Sequence, residues 1–206
     1  MPIFVAIWAV VALLGLGLTA LFVVLWLNRD GHVAVIGRQS AGKTTMLRFL
    51  ADGRLPPSQE PTTFWKPLSI QIENKTFVAF DTAGDHLDQW IKALDSSNDV
   101  LYLFDASLIA CADAEALSAI AADTDHIRDY VSRKGKKLHF TLVGTHSDLF
   151  QNAKQDEVTV REHAVIQELQ LICHTARDGL IIGSLATEKS AKSLTKKVFH
   201  HAAKGS

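Results

Sequence analysis

The sequence predicts an α/β fold: a six-stranded, mostly parallel sheet with helices on both faces, preceded by one N-terminal transmembrane helix. Three observations predict it. From residue 32 onward, short apolar runs of strand length alternate with longer helix-patterned stretches, the order that builds a parallel sheet covered on both sides. A glycine-bearing loop stands between the first such run and the first such helix. The 25 residues from Ile3 to Leu27 carry no charged side chain.

The uncharged run comes first. As a helix it would be about 37 Å long, enough to cross a ~30 Å hydrocarbon core with some tilt. Trp8 and Trp26 stand near its ends, where amphipathic rings favour the membrane interface. A cleaved signal peptide would need a basic segment before the apolar run and a small-x-small cleavage site after it. Here Met1 and Pro2 carry no side-chain charge and the run leads into Asn28 and Arg29. The expected organisation is an anchor over residues 1–28 and one domain over residues 29–206. Arg29 is the basic residue nearest the segment, and the positive-inside tendency then places the C-terminal side in the cytoplasm. The expectation is a single-pass protein of a bacterial inner membrane or a eukaryotic endomembrane.

The remaining elements follow in order. His32 to Ile36 reads as a buried strand and Thr44 to Leu50 as a helix. Leu68 to Ile72 and Thr76 to Phe80 alternate, joined by Glu73, Asn74 and Lys75, and read as a hairpin that adds one antiparallel edge strand. Val100 to Phe104 and Leu138 to Val143 read as strands, and Leu180 to Ile182 as a short one. Ala114 to Val131, Val160 to Leu171 and the basic stretch Lys189 to His201 read as helices, about five helices in all.

Composition narrows the function. With 21 basic and 22 acidic residues the net charge is −1, which excludes broad electrostatic binding of nucleic acid. Hydrophobic residues at 48% exclude disorder. Cys111 and Cys173 lie far apart without a partner motif. They read as small buried hydrophobes in a reducing compartment rather than a disulfide or zinc site.

The strongest signal is Gly37 to Thr44, GRQSAGKT, a complete match to G-x-x-x-x-G-K-[ST] in the strand–loop–helix context that this motif requires. Gly37 and Gly42 let backbone N–H groups turn inward around phosphates, and the following helix aims its positive end at them. Lys43 can reach the β and γ phosphates, and the Thr44 hydroxyl can ligate Mg²⁺.

Three further motifs resemble those of the Ras-like small GTPases. Asp81 to Gly84, DTAG, follows an apolar strand and resembles their D-x-x-G element; the resemblance implies Asp81 near the Mg²⁺ shell and a Gly84 amide facing the γ-phosphate. Pro61, Thr62 and Thr63 resemble the switch I element, with Thr62 as the metal-contacting threonine, 18 residues after Thr44 and 19 before Asp81. Thr145, His146, Ser147 and Asp148 resemble the guanine motif [N/T]-K-x-D, in which Asp148 would accept hydrogen bonds from the N1 and N2 groups of guanine. Leu185, Ala186 and Thr187 follow the final strand, as the last base-contacting element of the family does. Ser190, Ala191 and Lys192 match the letters better, but Ala186 is favoured, because an amide that meets the base should come from the loop just beyond the strand.

The resemblance spans Val33 to about Ala203 and is closest in spacing to the Arf branch. It implies a P-loop NTPase with a Ras-like G domain. An N-terminal membrane helix fused to such a domain resembles the architecture of the β subunit of the signal recognition particle receptor. Carried over residue by residue, it implies that Gly37, Ser40, Ala41, Gly42, Lys43, Thr44, Thr45, Thr62, Gly84, Thr145, His146, Asp148, Leu185 and Ala186 bind GTP or GDP. Thr44, Thr62 and Asp81 would serve Mg²⁺. Effector or receptor partners would dock on Thr62 to Trp65 and Gly84 to Trp90, where Trp65 and Trp90 read either as exposed anchors or as core packing. No nucleic acid is expected.

Departures from the family pattern shape the expected chemistry. The position after D-x-x-G holds Asp85, followed by His86, where Ras relatives place a water-orienting Gln. His86 could orient or deprotonate water, whereas an Asp85 carboxylate would repel the γ-phosphate; neither being catalytic stays open. Lys43 is the third candidate catalytic residue. Gln39 occupies the loop's third position in place of glycine, and His146 replaces the usual Lys. Slow intrinsic GTP hydrolysis follows, with a partner completing the site. The first reading is therefore a membrane-anchored GTP switch. The alternative is a non-hydrolysing, GTP-loaded membrane scaffold or receptor subunit whose nucleotide state its partner sets. An ATP-using P-loop kinase would want an Arg-rich lid, and no such segment is seen.

Overall fold

The computed structural model describes residues 31–56, 66–72, 75–81, 87–135, 137–175 and 179–205. Its strands are β1 (Gly31–Gly37), β2 (Lys66–Ile72), β3 (Lys75–Asp81), β4 (Asp99–Asp105), β5 (His139–Thr145) and β6 (Leu180–Ile182). They lie in the order β2-β3-β1-β4-β5-β6. β1 runs parallel to β3 and β4, β4 to β5, and β5 to β6, while β2 is antiparallel to β3 at the edge. The helices are α1 (Lys43–Asp52), α2 (Leu87–Ser96), α3 (Ala106–Ala110), α4 (Ala114–Lys134), α5 (Ala153–Glu162), α6 (Ala164–Ile172) and α7 (Glu188–Gly205), with a 3₁₀ turn at Ser147–Leu149.

The central strands are apolar throughout because both faces are buried, and period-2 alternation divides their side chains between two cores. Val33, Val35, Leu101 and Leu103 pack on one face with Met46 and Leu47 of α1 and Val198 of α7. Ala34, Ile36, Tyr102 and Phe104 pack on the other with residues of α2, α4 and α6 such as Trp90, Ile127 and Ile166. α7 buries Ala191, Leu194, Val198 and Phe199, so its lysines ride a helix whose opposite stripe belongs to the core.

Several expectations are corrected. The stretch from Val160 to Leu171 is two helices. His163 is extended, with φ −65° and ψ 131°, ends α5 and starts α6. Its Nδ1 accepts from the Val165 amide at 3.3 Å, so an imidazole does the capping that Ser or Asp usually does. α2 and α3 were not expected. α2 has the apolar spacing Leu87, Trp90, Leu94, and α3 is a single short turn capped by Asp105, whose carboxylate accepts from the amides of Ser107 and Leu108. Cys173 is buried as expected, but Cys111 is exposed, because it stands at the C-terminal end of α3. Trp90 is a core residue, 2% exposed, packed edge-on to Tyr102 with ring centroids 6.2 Å apart.

Among the described residues no helix is long and apolar enough to cross a membrane. The anchor expected over residues 1–28 lies outside them. So do Pro61, Thr62, Thr63, Trp65, Gly84, Asp85, His86 and the hairpin turn at Glu73 and Asn74.

Candidate functional site

Parallel pairing gathers the carboxyl ends of β1, β3, β4, β5 and β6 at one edge of the sheet. Gly37 pairs with Leu103, Val35 with Asp81, and Asp105 with Thr145. The strand order reverses about β1, and open α/β sheets form their ligand crevices at such a reversal. Motifs scattered over the sequence from Gly37 to Ala186 therefore converge for a topological reason.

The loop from Gly37 to Gly42 is built on unusual backbone. Gly37 has φ 130° and Gly42 φ 82°, and Ser40 also lies in the left-handed region. A Cβ on Gly37 would stand 2.0 Å from the Leu103 carbonyl oxygen, so the loop can leave β1 against β4 only as glycine. A Cβ on Gly42 would stand 2.8 Å from Leu185 Cδ1 and 3.6 Å from Thr145 Cγ2. Gly42 thus sits under both segments expected to contact a base. Ala41 and Thr45 are buried, Thr44 is half-buried, and Gln39 and Ser40 are exposed.

Two features give the loop a donor set that fits an anion. Gly42 precedes α1 with no side-chain cap and no acidic residue in the first turn, which leaves amide donors and the positive end of the helix dipole uncompensated by side chains. Lys43 is 6% exposed, and its Nζ donates to the carbonyls of Gly37 at 2.8 Å and Arg38 at 2.6 Å. The ammonium is held inside the loop by backbone oxygens.

The rest of the site is a hydrogen-bonded chain. The buried Thr145 hydroxyl lies 3.1 Å from the carbonyls of both Ala41 and Phe104 and donates toward them. Its hydrogen being engaged, it accepts from His146 Nδ1 at 2.9 Å, and Asp105 Oδ2 faces the same nitrogen at 3.3 Å. Those two acceptors assign a hydrogen to Nδ1. His146 itself has φ 59°. Asp148 Oδ1 accepts from Ser184 Oγ at 2.5 Å, and that oxygen accepts in turn from the Ala186 amide at 3.0 Å. The Ser147 amide donates to Gly183 O at 3.2 Å.

Sequence reasoning missed Ser184 and Asp105, which orient Asp148 and His146. A serine just beyond the last strand and an aspartate at the end of a buried strand were the available signals. Ala186 lies in the loop beyond β6, whereas Ala191 is buried in α7 with its amide bonded to Thr187 O at 2.8 Å. Arg38 leaves the loop outward, to α4, where it pairs with Asp123. Lys43, Thr44, Thr145, His146, Asp148, Leu185 and Ala186 are gathered at the one edge. β3 brings the Asp81 backbone there too.

Against this geometry, the family model described as Arf, ADP-ribosylation factor family, matches residues 18–195.

Proposed function

The chain belongs to the ADP-ribosylation factor family, a branch of the Ras-like small GTPases, and from that premise we propose a membrane-anchored GTP switch. Membership carries the coarse statement: a GTP-binding small GTPase. The finer assignment is our reading. Lys43, with the amides of Gly37 to Thr44, holds the phosphates, and Asp148, kept in place by Ser184, selects guanine. Thr44, Thr62 and Asp81 serve Mg²⁺, which supplies charge neutralisation at the phosphates.

The single observation that carries this reading is the contact between the two recognition segments: Thr145 bonded to Ala41, with Gly42 lying beneath Leu185. One ligand spanning phosphate loop and base loop fits that arrangement. The donor set also fits an anion: buried ammonium, uncapped helix amides and no carboxylate in the first turn of α1.

Residues 1–28 would anchor the chain, with the nucleotide site on the cytoplasmic side. Partners would read the segments Thr62 to Trp65 and Gly84 to Trp90. Hydrolysis is proposed to be slow without a partner, His86 or Asp85 standing where relatives orient water. Trp90, being buried, acts in that surface as a core support rather than as an anchor.

The test is displacement of a fluorescent GDP analogue from the full chain by GTP, GDP, ATP and XTP in Mg²⁺. GTP and GDP should compete about a hundredfold better than ATP, and Asp148→Asn should move the preference toward XTP. Equal competition by ATP would overturn the guanine assignment. Single-turnover hydrolysis on the same preparation reads the rate.

A further inference from the structure

Arg38 and Asp123 join the phosphate loop to α4 through an ion pair whose carboxylate is buried and whose guanidinium is half-buried. Arg38 Nε donates to Asp123 Oδ2 at 3.0 Å, and one terminal guanidinium nitrogen lies 2.7 Å from Oδ1. That same nitrogen donates to the Ala119 carbonyl at 2.9 Å. Asp123 is 1% exposed and receives a third bond, from the Tyr102 hydroxyl of β4 at 2.8 Å. Arg38 is therefore fixed in position and in plane, as a two-pronged guanidinium–carboxylate contact does. Its own carbonyl oxygen, on the loop side, accepts from Lys43 Nζ at 2.6 Å.

The contact is more than general reinforcement. A half-buried ion pair such as this adds little net stability, because the solvent on the guanidinium side screens it and desolvation of the carboxylate offsets the Coulomb gain. What this one adds is geometry. A continuous chain runs from Tyr102 in the sheet through Asp123 in α4 and the Arg38 side chain to the Arg38 carbonyl, and ends on the ammonium that the loop holds inward. Preorganised donors hold a ligand more tightly than donors that must first be ordered.

We propose that Asp123 is a positioning residue for the phosphate loop, acting through Arg38 to set the peptide that holds Lys43 and so slowing nucleotide release. The proposal rests on the nucleotide-binding reading above.

The test is the dissociation rate of a fluorescent GDP analogue from the full chain, for wild type, Asp123→Asn, Arg38→Gln, Arg38→Lys and the double variant Arg38→Gln with Asp123→Asn. Asp123→Asn should release the analogue about tenfold faster. Arg38→Lys, which keeps the charge but not the fork, should fall between wild type and Arg38→Gln. Adding Asp123→Asn to Arg38→Gln should change the rate less than twofold, because the route through Arg38 is already cut. Leu169→Val, in the core of α6, should lower the melting temperature without accelerating release, a difference that a merely structural role would not produce. Should Asp123→Asn fail to fold, the Arg38 pair of variants still reads the clamp. Wild-type rates in Asp123→Asn or Arg38→Gln, additive effects in the double variant, or equal acceleration in Leu169→Val would overturn the clamp alone. A wild-type chain that binds no guanine nucleotide would overturn the function reading, and the clamp with it.

Discussion

The Thr145 hydroxyl lies 3.1 Å from the carbonyl oxygen of Ala41, a residue 104 positions away in the chain. The end of β5 and the phosphate loop are thereby bonded directly, and the same hydroxyl reaches Phe104 O and His146 Nδ1. A single side chain thus ties β4, β5, the loop after β1 and the His146 ring into one unit.

Replacing Thr145 by Val keeps the shape and removes the hydroxyl. Two buried carbonyls then lose a donor and His146 loses an acceptor. The expected cost is about 1–3 kcal/mol, read by urea unfolding, together with weaker retention of a GDP analogue. An unchanged unfolding midpoint would show that the hydroxyl's bonds contribute nothing net.

The two loop glycines should respond differently to alanine. At Gly37 the new Cβ meets backbone, the Leu103 carbonyl, at 2.0 Å, with φ 130°. Neither β1 nor β4 can move aside, so Gly37→Ala should cost more than about 3 kcal/mol and give little folded protein. At Gly42 the obstruction is a flexible side-chain end, Leu185 Cδ1. Gly42→Ala should cost about 1–2 kcal/mol, mainly the left-handed backbone, and be recoverable for circular dichroism melts. A Gly37→Ala chain that melts like wild type would contradict the close approach.

Trp90 separates packing from hydrogen bonding. Its ring is buried against Tyr102 and its Nε1 has no hydrogen-bond partner among the described residues. Trp90→Ala should cost about 3–5 kcal/mol through the cavity left behind. Trp90→Phe, which keeps most of the contact and loses no hydrogen bond, should cost clearly less by the same denaturation assay. Equal losses would mean that the indole nitrogen is bonded after all.

Asp99 supplies a pH signature. One of its carboxylate oxygens is buried without a hydrogen-bond partner among the described residues, and burial raises its pKa above the ordinary 3.8, with nearby His139 opposing. Because the raised value belongs to the folded state, the stabilisation from proton binding is fully present below 3.8 and is lost as pH rises through the folded value. Asp99→Asn, neutral throughout, should melt about 2 °C higher than wild type at pH 7, the gap closing on acidification toward pH 4. A gap independent of pH would assign the effect to something other than ionisation.

Much of the architecture was readable before any coordinates. β1, β4 and β6 are dense apolar runs, and the phosphate loop announces itself by glycine, lysine and threonine at fixed spacing between a strand and a helix. These are local properties: pleat, helix period, left-handed backbone at glycine. Where local signals were weak, reading failed. His163 breaks a helical pattern without the Gly or Pro that usually marks a break, because its imidazole supplies the cap. Five residues of α3 are too few to show a period.

Pairings between distant residues left no local trace. Nothing around Asp123 in the sequence distinguishes it from the other charged residues of its helix, yet the fold buries it where Tyr102 and Arg38 both donate to it. Ser184 and Asp105 are equally plain until β6 and β4 end beside β5. Chain chemistry chose the elements and the loop. The fold chose which buried charge meets which donor, because a carboxylate taken out of water must be satisfied by whatever groups the packing brings within about 3 Å.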